Sequence, residues 1–538
     1  MTGGLGRADG DEPDPPNGSP DPGTTEGLSR RELQDRAVSG VTWTMVNTVV
    51  SLPVAFLVNL VVARVLGVVD YGRLAFLTVV MELAAGIVML GVNPALVQFG
   101  AKAHAAGRRA EVTDLLSKVQ GFRLLVAAPI LTVVVVVVVS DVGPWFKLIA
   151  VVFGVVLPAA LDGAPACLGI ENKTAAGAKV VLVSNVLTQL AVLGTVLVVA
   201  QADVVWAVRL IMLSVTVLLC LIPISASYRR AVLRPRFPRG FPQGFWRFAL
   251  PTGLAALLST LVVSRTEVLA LTWLSDPVSV GLFALAFGLA GHMYAPAQAI
   301  IGPLVPAISG LREVDAPSVA KAFGRALRGS STVVALLSGI ALPVVAVLTP
   351  TLYGSSYTGI EPVVLAIGVA NGFLVVGAPV SAFVMARLSA SRVLVASLIA
   401  LLVDVVLALG LIPVWGVWGA VVANIGAATT QMLILLVSEL TALHLSWATV
   451  GRDIVPVFIG AVVALLAWYA STFVPSVWWA AAVAAVIGVV GVVALLWAGR
   501  SGLTAGDLGA VVRVLPGRAR GPVGAILRSV RWRDEAAV

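Results

Sequence analysis

Of the 538 residues, 59% are hydrophobic and 12% are charged, about half the charged share of a soluble domain. That leaves too little polar surface for a water-soluble body of this size. It excludes a soluble enzyme, a disordered scaffold and a disulfide-stapled secreted module, and points to an all-α polytopic membrane protein. The formal net charge is +9, yet residues 1–28 hold one Arg and six acids, so the remainder carries +14. In a membrane protein such an excess belongs to cytoplasmic loops, with no nucleic-acid partner implied. Cys167 and Cys220 fall near helix ends expected on the reducing side, where a disulfide is not expected. With His104, His292 and His444 scattered along the chain, they compose no metal site.

In residues 1–28, 18 of 28 positions are Gly, Pro, Asp or Glu, a composition that cannot bury a core. Residues 1–37 are therefore expected as a disordered cytoplasmic tail, followed by an uncleaved first helix. A bilayer core takes about 20 apolar residues per helix. Fourteen stretches qualify: 39–62, 74–100, 122–141, 147–169, 178–200, 204–225, 248–274, 278–308, 330–351, 361–386, 392–412, 416–441, 454–473 and 477–498. They group as an N-lobe of six helices (38–225), a basic linker (226–247), a C-lobe of six helices (248–442), a terminal helix pair (443–498) and a basic cytoplasmic tail (499–538).

Orientation follows from loop charge. With the N-terminus inside, 30 of the 36 Lys and Arg residues lie in cytoplasmic loops or juxtamembrane tails, and 225–247 alone holds six Arg and no acid. An inverted chain would put nearly all of this outside, so N-in and C-in are expected. A weak internal repeat accompanies the count. Leu66-Gly67 and Tyr71-Gly72 match Leu274-Ser275 and Val280-Gly281 at offsets of 208 and 209, and Val205-Trp206-Ala207-Val208 echoes Val417-Trp418-Gly419-Ala420. Parallel repeats of an even number of helices have this character in secondary transporters.

The chemistry of catalysis is missing. No Gly-Lys dipeptide supports a Walker A loop, and no His-Glu-x-x-His occurs. The outer loops are too short to carry the catalytic acids of a membrane glycosyltransferase. Transport is expected, not catalysis, and no cofactor.

Polar residues inside the apolar stretches then become the candidates. The first carries Thr44, Thr48, Ser51, Ala55 and Asn59 along one helical face, and the seventh carries Gly253, Ala256, Thr260, Ser264 and Glu267. Such seams suit either a water-filled cavity between lobes or close packing through small residues. Ionisable groups at this depth are functional candidates by default. Arg265 and Glu267, two residues apart, point roughly 200° apart on a helix, so Arg265 must lean to reach a cavity shared with Glu267. Asp404 shares a face with Ser397. Glu82 and Asp162 are weaker candidates, and Arg209, near the start of its helix, is expected to snorkel to the outer headgroups. His292 is read as a packing residue, and Asn371, Asn424 and Gln431 as glue between helices.

Four segments in order resemble the Wzx-like polysaccharide transporters, oligosaccharide flippases of the multidrug/oligosaccharidyl-lipid/polysaccharide (MOP) superfamily. Ala63-Arg64-Val65-Leu66-Gly67-Val68-Val69-Asp70-Tyr71-Gly72 is similar to that family's A-R-x-L-G-x-x-x-Y-G. Arg265, Glu267 and Gly281 lie in a stretch like its polar pair followed by vG-x-y. Leu352-Tyr353-Gly354-Ser355-Ser356-Tyr357 and Leu411-Ile412-Pro413-Val414-Trp415-Gly416-Val417-Trp418-Gly419-Ala420 complete the set. The resemblance implies a MATE/MOP-like fold of two pseudo-repeated lobes that alternates access. It implies export of a polyprenyl-pyrophosphate-linked glycan from the inner to the outer leaflet of the cell membrane, by a monomeric unit associated with glycan-assembly machinery. A peptidoglycan-precursor flippase or a cation-coupled multidrug exporter are the alternatives. On this reading Arg265, Glu267, Asn59, Ser51, Thr260 and Ser264 are the substrate-binding candidates. Glu267 and Asp404 are the candidates for coupling to H+ or Na+. The acids of the seventh and eleventh helices vary within the family, so those two inherit no set role.

The loop charges generate a direct test. Single cysteines placed in 225–247 or in the C-terminal tail of a Cys-free protein should resist impermeant reagents applied from outside; external labelling of both would invert the topology.

Overall fold

The computed structural model describes residues 30–261, 266–299, 318–387 and 390–499, together with 308, 311, 312, 315 and 501–503. Residues 1–29 of the expected disordered start and most of the basic tail lie outside the described residues; 30–37, expected to be disordered, form the first turns of a helix that continues into the first apolar stretch. Every element among those described is helical, and twelve helices are long and apolar enough to cross a membrane.

The difference from the expected fourteen has two causes. The first two expected spans are continuous in α1 (Arg30–Met89), which leaves helical geometry only at Gly67, φ 72° and ψ 177°. A residue without Cβ takes that φ without a clash. The seventh expected span is described only as α7 (Phe245–Thr260) and α8 (Thr266–Leu274), with 262–265 outside the described residues, and neither part is long enough to be counted alone.

Other boundaries move for a common reason. The second expected span stops at Met89, and Gly91 separates it from α2 (Val92–Ala105). Helices α3 (Arg109–Val138) and α10 (Ser318–Tyr353) begin well before the expected 122 and 330. Their extra turns are amphipathic: Val112, Leu115, Leu116 and Val119 are buried in α3, and Val319, Phe323 and Leu327 in α10. Spacings of three and four place each set on one helical face. A search for wholly apolar windows passes over such turns.

The remaining long helices are α4 (Pro144–Ile170), α5 (Thr174–Val198), α6 (Ala202–Cys220), α9 (Pro277–Ala299), α11 (Glu361–Ala386), α12 (Ala390–Trp415), α13 (Val417–Leu443), α14 (Trp447–Ser471) and α15 (Val477–Ala498), and a short helix spans Ala226–Val232. In the first half, α1 packs against α5 and α6; in the second, α12 and α13 form a hairpin that packs against α8 and α11. The pair α14 and α15 lies against α10. There a Cβ on Gly460 would stand 2.6 Å from Ala335 Cα, and one on Gly488 would stand 2.4 Å from Gly339 O. Small residues allow this backbone approach between membrane helices.

The halves meet along α1, α7, α8 and α9, and they touch most closely near the two ends of that seam. At one end Gly72 faces Gly281, the two glycines matched by the internal repeat. A Cβ on Gly72 would stand 2.7 Å from Gly281 N, and one on Gly281 would stand 1.9 Å from Val68 O. At the other end a Cβ on Gly253 would stand 2.1 Å from Leu90 C, and one on Gly91 would stand 2.0 Å from Ala249 O.

The other family-like segments gather at the Gly72 end. Arg64 Nη1 donates to the carbonyls of Thr351 (3.2 Å) and Leu352 (2.8 Å), near the C-terminus of α10. The helix dipole favours a cation there. Tyr357 Oη donates to Ala63 O at 3.2 Å. A Cβ on Gly416 would stand 3.3 Å from the hydroxyls of Ser275 and Ser279. Gly281→Ala should therefore destabilise the closed pair of halves by about 1–3 kcal/mol, the range for overpacking. Gly194→Ala, with no atom within 4 Å, should leave melting in detergent unchanged. Equal melting of the two variants would remove the contact from the closure.

Candidate functional site

Between the two glycine contacts lies a cavity of about 380 Å³. Its wall in the first half is Leu52, Tyr71, Leu74, Ala75, Thr78, Val79 and Arg209. Positions 71, 74, 75, 78 and 79 form one face of the second arm of α1, and Glu82 continues that face toward Gly91. The second half contributes Val268 from α8 and Ala284, Phe287, Gly288, Gly291 and His292 from α9.

Arg209 is the only charged residue lining this cavity among the described residues. It reaches inward from α6, not out to the headgroups as its position near the helix start suggested. Tyr71, on the facing arm of α1, lines the same cavity. Arg209 makes no ion pair with a described residue. Tyr71 is held in place by Asn59: Asn59 Nδ2 donates to Tyr71 Oη (3.1 Å) and Tyr71 Oη donates back to Asn59 Oδ1 (3.3 Å). His292 Nδ1 lies 2.7 Å from Gly288 O. A carbonyl only accepts, so Nδ1 carries the proton and Nε2 is the acceptor in the neutral ring. The ring also stands edge-on to Phe56, with centroids 5.8 Å apart.

The structure distributes the sequence candidates over three places. Asn59 acts on the cavity through Tyr71. Ser51 turns to the α1–α5 seam: it donates to Asn47 Oδ1 at 2.9 Å, and Asn185 Nδ2 reaches both side chains. Glu267 and Asp404 come together inside the second half, away from the cavity wall. Asn424 Nδ2 donates to Glu267 Oε1 at 2.6 Å, and Asp404 is near enough to repel Glu267. Both acids are 0% exposed. Glu267 Oε2 and both Asp404 carboxylate oxygens lack a hydrogen-bond partner among the described residues. Arg265, Ser264 and the Thr260 side chain lie outside the described residues.

Asn424 and Gln431 do join helices, the latter through Ser397 at 2.8 Å. Asn371 instead donates to Ile367 O within its own helix, at 3.1 Å.

One buried cation escaped sequence reasoning. Arg123 is 0% exposed in α3. It pairs with Asp162 (3.1 Å), donates to Gln120 Oε1 (2.6 Å) and hydrogen-bonds Asn93. The amphipathic turns before residue 122 were the available signal, because they carry α3 on past Arg123 toward the linker. A second internal pairing places Glu439 between Arg312 (3.0 Å) and Arg387 (2.7 Å). Cys167 and Cys220 are buried free thiols.

Known proteins with this arrangement define its class. A lipid II flippase MurJ in an inward closed conformation superposes with a TM-score of 0.60 at 12% identity, covering 84% of this chain and 97% of that one. An inward-facing multidrug resistance MATE family transporter of the MOP superfamily gives 0.52 at 16% identity, covering 76% and 99%. A mutant of the Vibrio cholerae MATE transporter VcmN gives 0.50 at 15%, covering 77% and 99%. No curated protein matches the chain. The fold is therefore that of the MOP-superfamily transporters, and the molecule is a multi-pass membrane protein. The polysaccharide biosynthesis protein family matches residues 37–311, over half of the chain, and the chain belongs to that family.

The acidic pair generates a test. Two buried carboxylates this close need a proton or a cation to neutralise them. An ion that binds the folded state stabilises it, by about 2.7 kcal/mol at one hundred times its dissociation constant, and so raises its melting temperature. Na+ or acid should therefore stabilise the purified protein, and Glu267→Gln and Asp404→Asn should each abolish that response. Unchanged responses in both variants would remove the ion from this pair.

Proposed function

We propose that this protein moves a polyprenyl-pyrophosphate-linked oligosaccharide from the inner to the outer leaflet by alternating access. One observation carries the reading: a cavity between the halves, narrowed at each end by backbone contact, whose single described charge is a cation. A pyrophosphate head is multiply anionic and hydrophilic, and its polyprenyl tail can remain in lipid. Arginine suits such a head because its planar fork meets phosphate oxygens in pairs. The hydroxyl of Tyr71 and the ring of His292 supply neutral polar contacts beside it. Arg265 is a second cation proposed for the same head.

At about 380 Å³ the cavity holds a charged head but no complete oligosaccharide. Separation of the halves at one end must enlarge it, with the other end closed. In this reading the Gly72 end faces outward, the Gly91 end faces the cytoplasm, and both termini are cytoplasmic. The Glu267–Asp404 pair lies off the substrate path. Its occupancy by H+ or Na+ then biases one arrangement of the halves over the other. A peptidoglycan-precursor lipid carries the same pyrophosphate, and the cavity chemistry suits it equally. A cationic drug does not suit a cavity whose described charge is Arg209.

Arg209→Ala should lower export about ten- to hundredfold at normal membrane abundance, since hydrogen bonds to charged groups are worth about 1.5–3 kcal/mol. Arg209→Lys should recover only part of it, retaining the charge without the fork. The measurement is glycan export in a strain lacking its flippase, with abundance checked by blot. Full export by Arg209→Ala would end the phosphate-binding role.

A further inference from the structure

The segment joining the halves has chemistry that transport leaves unused. Residues 225–247 contain six Arg and no acid, and the structure fastens this segment to the first half. Ser225 N donates to Glu171 Oε1 at 3.1 Å. Tyr228 Oη lies 2.7 Å from His104 Nδ1. Arg236 N donates to Ser117 O at 2.9 Å, and Lys118 Nζ donates to Gly240 O at 2.9 Å. Phe241 stacks on Phe245, and Trp246 stands edge-on to Phe122. The segment is thus a fixed surface and not a loose tether.

That surface combines charge with grease. Arg236 pairs with Asp114 at 3.2 Å. Among the described residues, Arg229, Arg230, Arg234, Arg239 and Arg247 have no acidic partner, and all five are exposed. Between them stand two large apolar side chains, Leu233 at 54% and Phe237 at 62% exposure. The Arg239 guanidinium lies over the Phe237 ring, 4.8 Å from its centroid. Beside them is a groove of about 460 Å³, whose walls include Gln243, Trp246 and Arg247. Ile222 and Phe248, exposed at the neighbouring ends of α6 and α7, continue the apolar surface into the membrane-facing wall.

We infer that this segment is a binding surface for anionic phospholipid headgroups of the leaflet it borders, with Leu233 and Phe237 inserted among the acyl chains. Five unneutralised arginines need counter-charge, and an anionic leaflet supplies it at the depth where apolar side chains are also accommodated. An acidic protein would also supply the charge, but the apolar surface runs on through Ile222 and Phe248 into the membrane-facing wall, where lipid meets it. The inference stands independently of which substrate the cavity carries.

The test uses the full chain in nanodiscs of phosphatidylcholine alone or of equimolar phosphatidylcholine and phosphatidylglycerol. A spin label is placed at Phe237→Cys, the native cysteines being buried. In the anionic discs the label should be shielded from a water-soluble relaxant, and in the neutral discs exposed to it. Native mass spectrometry should find phosphatidylglycerol retained by the wild type. Each arginine near an anionic surface is expected to change affinity about fivefold. R229Q/R230Q/R234Q should therefore weaken retention by about a hundredfold, with melting unchanged because these side chains are exposed. The control K102Q/R108Q/R109Q removes three basic residues from the end of α2 and the start of α3 and should retain the lipid. Equal label exposure in both discs would overturn the inference. So would equal retention by the triple variant and wild type, or equal loss in the control.

Discussion

Backbone touching backbone at Gly72–Gly281 and at Gly91–Gly253 is the constraint on which the rest of this molecule depends. Membrane helices gain little from burying apolar surface against one another, because lipid tails are equally apolar. Their association rests on close packing, and a missing Cβ is what permits it. Here the close approaches occur near both ends of the seam. The larger side chains between them hold the helices apart, and the cavity follows. The residues nearest the Gly72 contact come from segments far apart in the chain, including Arg64, Tyr357 and Gly416. Their position explains why they read as motifs: each serves a contact that tolerates little change in size.

Charge inside the membrane is handled in two ways. Arg123 pairs with Asp162 within the first half, and Glu439 with Arg312 and Arg387 within the second. Breaking such a pair would leave an uncompensated buried charge, so each half is held as a body. Arg209 and the Glu267–Asp404 pair are treated differently. Arg209 faces a cavity between bodies, and the two acids are buried together inside one of them. In the proposed function these are the places where a ligand or an ion would change the energy of one arrangement relative to another. Alternating access as proposed here uses both: a site that both halves enclose, and a site that one half holds alone.

Much of this was legible in the chain. Composition and long apolar stretches determined a helical membrane protein. The ordered segments from Ala63 to Ala420 pointed to the superfamily, and the repeat paired Gly72 with Gly281. These signals are local or periodic, and a hydrophobic period survives whatever the helix later packs against. Helix ends were less legible. The turns carrying Val112 to Val119 and Val319 to Leu327 are amphipathic, and the kink at Gly67 joins two spans that hydropathy separates.

The site was the least legible part. The sequence alone determined which helices carry polar side chains and which residues are costly at that depth. Only the tertiary structure decided where each one points. It turned Ser51 toward Asn185, brought Glu267 and Asp404 together across 137 positions of chain, and moved Arg209 from the headgroups to the cavity wall. The physical reason is geometric. A face shared along one helix is set by a period of 3.6 residues, which the chain displays. What that face meets is set by the rotation and neighbours of the helix, which depend on contacts such as Gly72 with Gly281, made by residues far apart in sequence.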